Sequence, residues 1–139
     1  MISFSSSGVA DIPQIEEWIA KDPYHKHQGQ SEWWLTGNGL LAFCLQDDKG
    51  PLTYVRLDEE GEYVRIHTQF APEEIVSKRR LVLGMVQCLT ELVKIYQSQS
   101  KAGLIFSSVS PLLIAFMKKY FNFKSVGGDD YRLDFEVKQ

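Results

Sequence analysis

The chain has 139 residues, 44% of them hydrophobic, and a formal net charge of −3 at pH 7. This length suits one domain with its own buried core, so we expect residues 1–139 to form a single domain. The net charge gives no global basic field for nucleic acid, and no apolar run approaches the length that spans a bilayer. No secretory signal pattern precedes the first elements, so we expect a cytoplasmic protein.

The N-terminal segment predicts a short strand followed by a helix. Met1–Ser5 is the strand candidate. A helix is predicted over Asp11–Lys21, because Asp11 and Gln14 form a capping-box pattern and apolar residues then repeat at helical spacing. Pro23 ends this helix.

The next segment, Tyr24–Asn38, has no clear period and predicts a loop with a short helical turn at Ser31–Leu35. Loops of this length inside a compact domain are often functional. Trp33 and Trp34 could contact an acceptor substrate, or they could cover the edge of the core as large aromatic residues usually do.

Three strands are predicted in the middle of the chain, over Gly39–Gln46, Leu52–Asp58 and Glu62–Phe70. Two short turns rich in acidic residues and glycine separate them. Strands joined by such short turns are expected to form an antiparallel meander.

A long apolar helix follows the meander and ends near Ser98. Ala71–Glu74 also has a helix-start pattern, but one helix from there would measure about 40 Å at 1.5 Å per residue, too long for this domain. We therefore expect a break near Val76–Lys78 before the main helix. Its apolar stripe comprises Leu81, Met85, Leu89, Leu92 and Tyr96.

The C-terminal part predicts one more strand, one helix and a hairpin. Ala102–Ser107 is a fully apolar strand of the kind found at the centre of a sheet. Ser110 and the proline after it start a helix that runs to about Tyr120. Asn122–Val126 and Tyr131–Val137 form the hairpin around a glycine turn.

The sequence carries no disulfide or metal motif. Cys44 and Cys88 each fall in an apolar segment without a second cysteine nearby, which predicts buried, reduced thiols. His25 and His27 have no third ligand in view, whereas a zinc site needs three or four. We therefore expect no metal cofactor.

The predicted order, β-α-(loop)-β-β-β-α-β-α-β-β, resembles the GCN5-related N-acetyltransferase (GNAT) superfamily over essentially the whole chain. The resemblance implies an α+β fold with a mixed, mostly antiparallel sheet and helices on both faces. It also implies acetyl-CoA as the acyl donor and an amine-bearing acceptor as the partner. In that family the last meander strand pairs with the pantetheine arm, and the helix start after it holds the pyrophosphate.

Carried onto this sequence, the resemblance implies three sets of cofactor-binding residues. These are the strand residues Thr68, Gln69 and Phe70, the helix-start residues Ser77, Lys78, Arg79, Arg80 and Leu81, and Ser107 at the end of the next strand. The three cations at the helix start also oppose the helix dipole, and a bound anion would resolve that conflict. The competing interpretation is a surface pair between Glu74 and Lys78 with solvated cations.

The sequence departs from the family pattern at two motifs. In the phosphate loop, Glu74, Ser77 and Arg79 occupy the places of Gln/Arg, Gly and Gly/Ala, although glycine lets the backbone approach a phosphate. The closing segment around Phe123 looks like the family's Gly-Phe motif. The family often has a catalytic Tyr about five residues before this Phe. Counting back from Phe123 gives Lys118 and counting back from Phe121 gives Phe116, and neither is Tyr.

Three residues are candidates for proton transfer. His67 shares one face of its strand with Arg65 and Gln69, and it could deprotonate an ammonium if it faced a cleft. Glu62 is a second candidate base, and Tyr120 is a candidate acid for the thiolate. The competing interpretation of His67 is an ordinary half-exposed strand histidine.

The resemblance and these candidate residues together imply an acyl-CoA-dependent N-acyltransferase that moves an acetyl group to an amine. The missing glycines and tyrosine favour an alternative, a GNAT-shaped domain without catalysis that serves as a binding or interaction module. A third possibility is an unrelated α+β scaffold with the same element order. A gap between the strands at Glu62–Phe70 and Leu104–Ser108 would distinguish this last case.

Overall fold

A computed structural model describes residues 2–22, 31–35 and 41–135 of the chain. Most of the predicted Tyr24–Asn38 loop therefore lies outside the described residues, as do His25 and His27. The start of the second predicted strand at Gly39 and the end of the last one at Val137 also lie outside them.

The strands and helices follow the order predicted from the sequence. The strands are β1 (Ser3–Ser6), β2 (Leu41–Asp47), β3 (Gly50–Glu60), β4 (Tyr63–Phe70), β5 (Gly103–Ser107), β6 (Lys124–Gly127) and β7 (Asp130–Asp134), and the helices are α1 (Ile12–Lys21), α2 (Lys78–Ser98) and α3 (Pro111–Phe121). Two 3₁₀ turns, Val9–Asp11 and Ser31–Leu35, flank this framework. The short helical turn predicted at Ser31–Leu35 is thus confirmed.

The seven strands form one sheet in the order β1-β2-β3-β4-β5-β7-β6. Strands β2, β3 and β4 make the predicted antiparallel meander. Strands β4 and β5 are the parallel pair in this sheet, and the other neighbours run antiparallel. The α+β class with a mixed, mostly antiparallel sheet is therefore confirmed.

The helices cover both faces of the sheet. On one face, which we call the α1 face, the Trp18 ring of α1 packs on Tyr54 of β3 with ring centroids 5.0 Å apart. On the opposite face, Gly84 brings α2 down onto Leu45 and Leu52, since a Cβ at Gly84 would lie 2.8 Å from a Leu52 methyl carbon. The meander is thus covered on both faces, which explains why β2 and β3 have apolar, buried centres.

The starts of α1 and α2 differ in their capping. The break predicted before α2 is confirmed, with Ser77 accepting a hydrogen bond from the Arg80 amide at 3.3 Å. The capping box predicted at Asp11 is wrong, because its carboxylate makes no cap to α1. It accepts instead from the Gly8 amide and the Tyr54 hydroxyl, each at 2.8 Å, so a tertiary contact replaces the local one.

Both cysteines are buried and unpaired, as predicted. Burial raises the pKa of the Cys44 thiol to about 11 and that of Cys88 to about 12, so both thiols are protonated at neutral pH. Within the described ranges, the helices are all too short or too polar to cross a membrane.

Candidate functional site

Strands β4 and β5 part after a short stretch of pairing. Their parallel register comprises Tyr63 with Gly103, Val64 with Leu104 and Arg65 with Ile105. Strand β4 continues to Phe70, whereas β5 ends at Ser107 without further pairing to β4. The far half of β4 therefore borders a gap between the two strands, as predicted for a GNAT-like sheet.

Main-chain groups of Thr68 and Phe70 face this gap. The Glu62 carbonyl accepts from the Ala102 amide at 2.7 Å, so even-numbered residues here point toward β5. The Gln69 carbonyl points the other way, toward β3, where it accepts from the Thr53 hydroxyl at 3.0 Å. Because main-chain groups alternate along a strand, the N–H and C=O groups of Thr68 and Phe70 lie on the β5 side, beyond the last paired residue.

The start of α2 follows the open end of β4, and seven residues separate Phe70 from Lys78. The first amides of a helix have no carbonyl one turn earlier to accept from them. Ser77 satisfies the Arg80 amide, which leaves the amides of Lys78 and Arg79 as donors at the helix start. The Lys78 and Arg79 side chains are exposed, and no carboxylate in the described part of the chain lies within 4.0 Å of their charged groups.

Glu74 does not form the surface pair with Lys78 that the competing interpretation required. Its carboxylate lies 3.9 Å from Lys21 of α1 instead. The two exposed cations of α2 are therefore not neutralised by Glu74.

Arg80 has a different environment from its two neighbours. Its guanidinium makes two hydrogen bonds to Asp47 at the end of β2, Nε to Oδ2 at 2.7 Å and Nη2 to Oδ1 at 2.6 Å. These bonds lower the pKa of the Asp47 carboxyl to about 2. Arg80 thus fixes the start of α2 to the sheet, and half-buried Leu81 packs against the core beside it.

The side chains of Gln69 and Ser107 are also engaged within the fold. The buried Gln69 amide donates to Asp22 at 3.0 Å and to the Trp18 carbonyl at 3.4 Å, which ties β4 to the end of α1. The Ser107 hydroxyl accepts from Arg65 at 2.7 Å and donates to Asp130. The family's polar contact at the end of β5 therefore falls here on a residue already held by an ion pair.

His67 lies two residues beyond the last β4–β5 pair, on the α1 face. Its Nε2 is 3.2 Å from an Asp58 carboxylate oxygen, and its ring meets Trp33 edge-on with centroids 4.8 Å apart. Burial lowers the pKa of His67 below its usual 6.5, against the opposing effect of the Asp58 charge. His67 is therefore mostly neutral at pH 7, the form that can accept a proton.

Comparison with known proteins gives a match at the level of structure. No protein-family model matches the sequence, and no curated protein matches it significantly. The ribosomal-protein-S18-alanine N-acetyltransferase of Escherichia coli superimposes over 100% of this chain and 97% of its own, with a TM-score of 0.69 at 13% identity.

Two further similar structures contain a cofactor. A GNAT family acetyltransferase from Brucella melitensis in complex with acetyl-CoA has a TM-score of 0.62 at 9% identity, over 100% of this chain and 91% of its own. The PaiA N-acetyltransferase of Thermoplasma acidophilum in complex with coenzyme A has a TM-score of 0.62 at 14% identity, over 97% and 99%. The chain has the GNAT fold.

The segment after α3 is the one whose sequence resembles the Gly-Phe motif of the GNAT family, and Asn122 stands in the place of the glycine. Asn122 ends α3 in the left-handed conformation, with φ 59° and ψ 30°, which glycine adopts freely and asparagine tolerates better than other residues. The next residue, Phe123, is buried against Phe106 of β5. Asn122 therefore adopts a backbone conformation that a glycine at this position would adopt freely.

The two other candidates for proton transfer, Glu62 and Tyr120, are both exposed. Glu62 is exposed in the turn before β4, beside the paired end of β4 and β5. Tyr120 is 52% exposed in the last turn of α3, and its ring contacts Phe116 of the same helix. It lies about 14 Å along the helix axis from Pro111. Of the three candidates, His67 is the one that lies on β4 beyond its last pair with β5.

Sequence reasoning missed the partners of His67, which come from β3 and from the Ser31–Leu35 turn. Arg56 pairs across the strands with His67, and Asp58 pairs with Arg65. The alternation of Arg56 and Asp58 with apolar residues in β3 was a usable signal. The register that places them beside His67 could not be derived before the turn between β3 and β4 was fixed.

Proposed function

We propose that the chain is an acyl-CoA-dependent N-acyltransferase that moves an acetyl group from acetyl-CoA to an amine. One observation supports this function most strongly, the gap in which the main-chain groups of Thr68 and Phe70 have no strand partner among the described residues. Such an unpaired strand edge can form main-chain hydrogen bonds with an extended, amide-containing arm. The pantetheine part of acetyl-CoA is an arm of this kind.

The start of α2 fits the phosphate end of the same molecule. Free amides at a helix start and two exposed cations provide both hydrogen bonds and charge for a pyrophosphate. In this proposal Lys78 and Arg79 bind the phosphates and Ser77 caps the helix. Arg80 holds the helix start in place through Asp47 and contributes no direct contact.

His67 is the proposed base. An amine attacks the carbonyl carbon of the thioester, the C–N bond forms, and the C–S bond breaks. The N–H groups of Thr68 or Phe70 stabilise the negative charge on the carbonyl oxygen. Neutral His67 accepts the proton that the amine nitrogen loses.

The proton balance closes without a separate acid. The departing thiolate needs one proton, and His67 has just received one from the amine. The products are an amide and the free thiol of coenzyme A. The proposed reaction requires neither Tyr120 as an acid nor Glu62 as a base, so both rank below His67 as candidates.

Binding of the donor can be tested by thermal melting. A ligand at about 100 times its Kd stabilises the native state by about 2.7 kcal/mol, which raises Tm by about 5 °C or more for a domain of this size. We expect this shift with acetyl-CoA and a much smaller one in the Lys78→Ala/Arg79→Ala variant. Lys94→Ala is the matched control, because Lys94 is a 70% exposed cation on the same helix far from its start.

A second candidate function is a GNAT-fold module that binds a ligand or partner without catalysis. Lys118, in the place of the family tyrosine, supports it, because its ammonium lies over the Tyr131 ring at 5.4 Å. A stabilising shift with acetyl-CoA but no amine-dependent release of thiol, across primary amines of small molecules and peptide N-termini, would favour this module. No shift at millimolar acetyl-CoA would contradict donor binding altogether.

A further inference from the structure

Four side chains on the α1 face close into a ring of contacts around His67. We call Trp33, Arg56, Asp58 and His67 the His67 cluster. Asp58 lies diagonally across from His67, since the register pairs Arg56 with His67 and Asp58 with Arg65. This diagonal arrangement brings an Asp58 carboxylate oxygen to 3.2 Å from His67 Nε2.

Asp58 is itself fixed by a second partner, Arg56. The Arg56 guanidinium donates to both carboxylate oxygens, from Nε at 3.1 and 3.3 Å and from Nη2 at 3.2 Å. Arg56 is only 5% exposed, so this charge pair is largely shielded from water. The carboxylate therefore has a defined direction and is not a freely rotating surface group.

Trp33 completes the cluster. The Arg56 guanidinium lies over its ring at 4.1 Å and donates to its main-chain carbonyl. The same ring meets the imidazole edge-on at an interplanar angle of 83°. Trp33 thus restrains both the cation that holds Asp58 and the imidazole that Asp58 contacts.

We propose that Asp58 is a positioning residue, whose carboxylate holds His67 in the tautomer with the proton on Nε2 and leaves Nδ1 to accept the proton of the amine. The catalytic role of Asp58 rests on the proposed function, whereas the tautomer of His67 rests only on the contact with Asp58. A carboxylate can only accept a hydrogen bond, so the nitrogen that faces it carries the proton. The second nitrogen of a neutral imidazole is then the acceptor.

The charges around His67 predict how the positioning works. Asp58 and Glu60 favour the protonated imidazole, whereas Arg56, Arg65 and burial oppose it. Burial and the two arginines lower the pKa of His67, and the Asp58 carboxylate limits how far it falls. A base whose pKa falls too far below the working pH becomes a poor proton acceptor.

Asp58→Asn and Asp58→Ala separate the two effects of the carboxylate. The asparagine carbonyl can still accept from Nε2, so Asp58→Asn is expected to retain the tautomer but lower the pKa of His67. Asp58→Ala is expected to lose both. Asp134→Asn is the matched control, since that carboxylate lies on β7 and pairs with Arg132 of the same strand and with Tyr63 at the start of β4.

The measurement is ¹H–¹⁵N NMR of the imidazole nitrogens against pH, with His67→Gln to assign the signals. We expect a single Nε2–H tautomer in the wild type and in Asp58→Asn, a mixture in Asp58→Ala, and a lower pKa in both Asp58 variants. If Asp58→Ala does not fold, Asp58→Asn alone still carries the pKa prediction. Unchanged titration in Asp58→Asn, or an Nδ1–H tautomer in the wild type, would overturn the proposal.

Kinetics provide the second readout, provided that an acetyl acceptor is found. Asp58→Ala is expected to lower kcat about tenfold or more with little change in KM for acetyl-CoA, because the proposed donor site is formed by Thr68, Phe70 and the start of α2 and does not include Asp58. A loss of both parameters together would indicate a merely structural role. Absence of any transfer activity would contradict the proposed function, whereas the NMR result would still decide the role of Asp58.

Discussion

Gly103 lies at the paired end of β4 and β5, and replacing it with alanine provides a sharp stability test. Gly103 opens β5 and pairs with Tyr63 on one side and with Asp134 on the other. A Cβ there would lie 1.9 Å from the Leu133 carbonyl oxygen and 3.0 Å from a Tyr63 ring carbon. Because the obstructing atom belongs to the backbone, no rotamer change relieves the clash.

The magnitude follows from how far the strands must separate. A carbon–oxygen contact needs about 3.2 Å, so β5 and β7 must move apart by more than 1 Å at this position. That movement would break one or two ladder hydrogen bonds, each with a net value of about 1 kcal/mol, and it adds overpacking of about 1–3 kcal/mol. Alanine recovers about 0.4–1 kcal/mol through the unfolded state, so we expect a net loss of about 2–3 kcal/mol.

Urea denaturation measures this loss as a midpoint lowered by about 1 M. Gly8→Ala is the matched control, because Gly8 has an extended backbone and its added Cβ would meet no atom within 4 Å. A midpoint for Gly103→Ala equal to that of Gly8→Ala would refute the close approach of β5 and β7. The register of β5 with β7 would then need revision.

Two further predictions concern the ends of α2 and α3. In a double-mutant cycle, Arg80→Ala and Asp47→Asn should show a coupling of about 1 kcal/mol at pH 7. Because the folded-state pKa of Asp47 is lowered from 3.8 to about 2, this contribution is present above pH 3.8 and lost as the pH falls toward 2, which urea melts across pH would check. Asn122→Ala should cost about 1 kcal/mol because of its left-handed backbone, whereas Asn122→Gly should not destabilise.

The order of the elements could be predicted because each has its own local signal. Ser77 and Ser110 start α2 and α3 as predicted, and the apolar stripe of α2 faces the sheet. The Asp11 prediction failed for a physical reason: the Tyr54 hydroxyl, distant in sequence, needs an acceptor in a part-buried position. Local propensity cannot anticipate such a partner.

The site was predictable only as far as the resemblance placed it. The open half of β4 was expected from the element order, but the direction of each main-chain group required the observed register. The sequence grouped Lys78, Arg79 and Arg80 as equivalent cations. Asp47, which separates Arg80 from the other two, lies 33 residues away, and nothing local connects them.

When no anion is bound, Lys78 and Arg79 should lower the folding stability of the protein. No acidic residue lies in the first turn of α2, and the only arginine there with a carboxylate partner among the described residues is Arg80. A cation in the first turn of a helix opposes the dipole by about 0.3–1 kcal/mol. Lys78→Ala/Arg79→Ala is therefore expected to be about 1 kcal/mol more stable than the wild type at low salt.

The same two residues should reverse their effect when acetyl-CoA is added. The wild type would then gain stability that the double variant does not, so the two melting curves should cross as the ligand concentration rises. Added salt should shrink the difference without ligand, because exposed charges are screened. If the double variant is less stable than the wild type in the absence of ligand, the cations serve the fold, and the case for a phosphate site at this helix start fails.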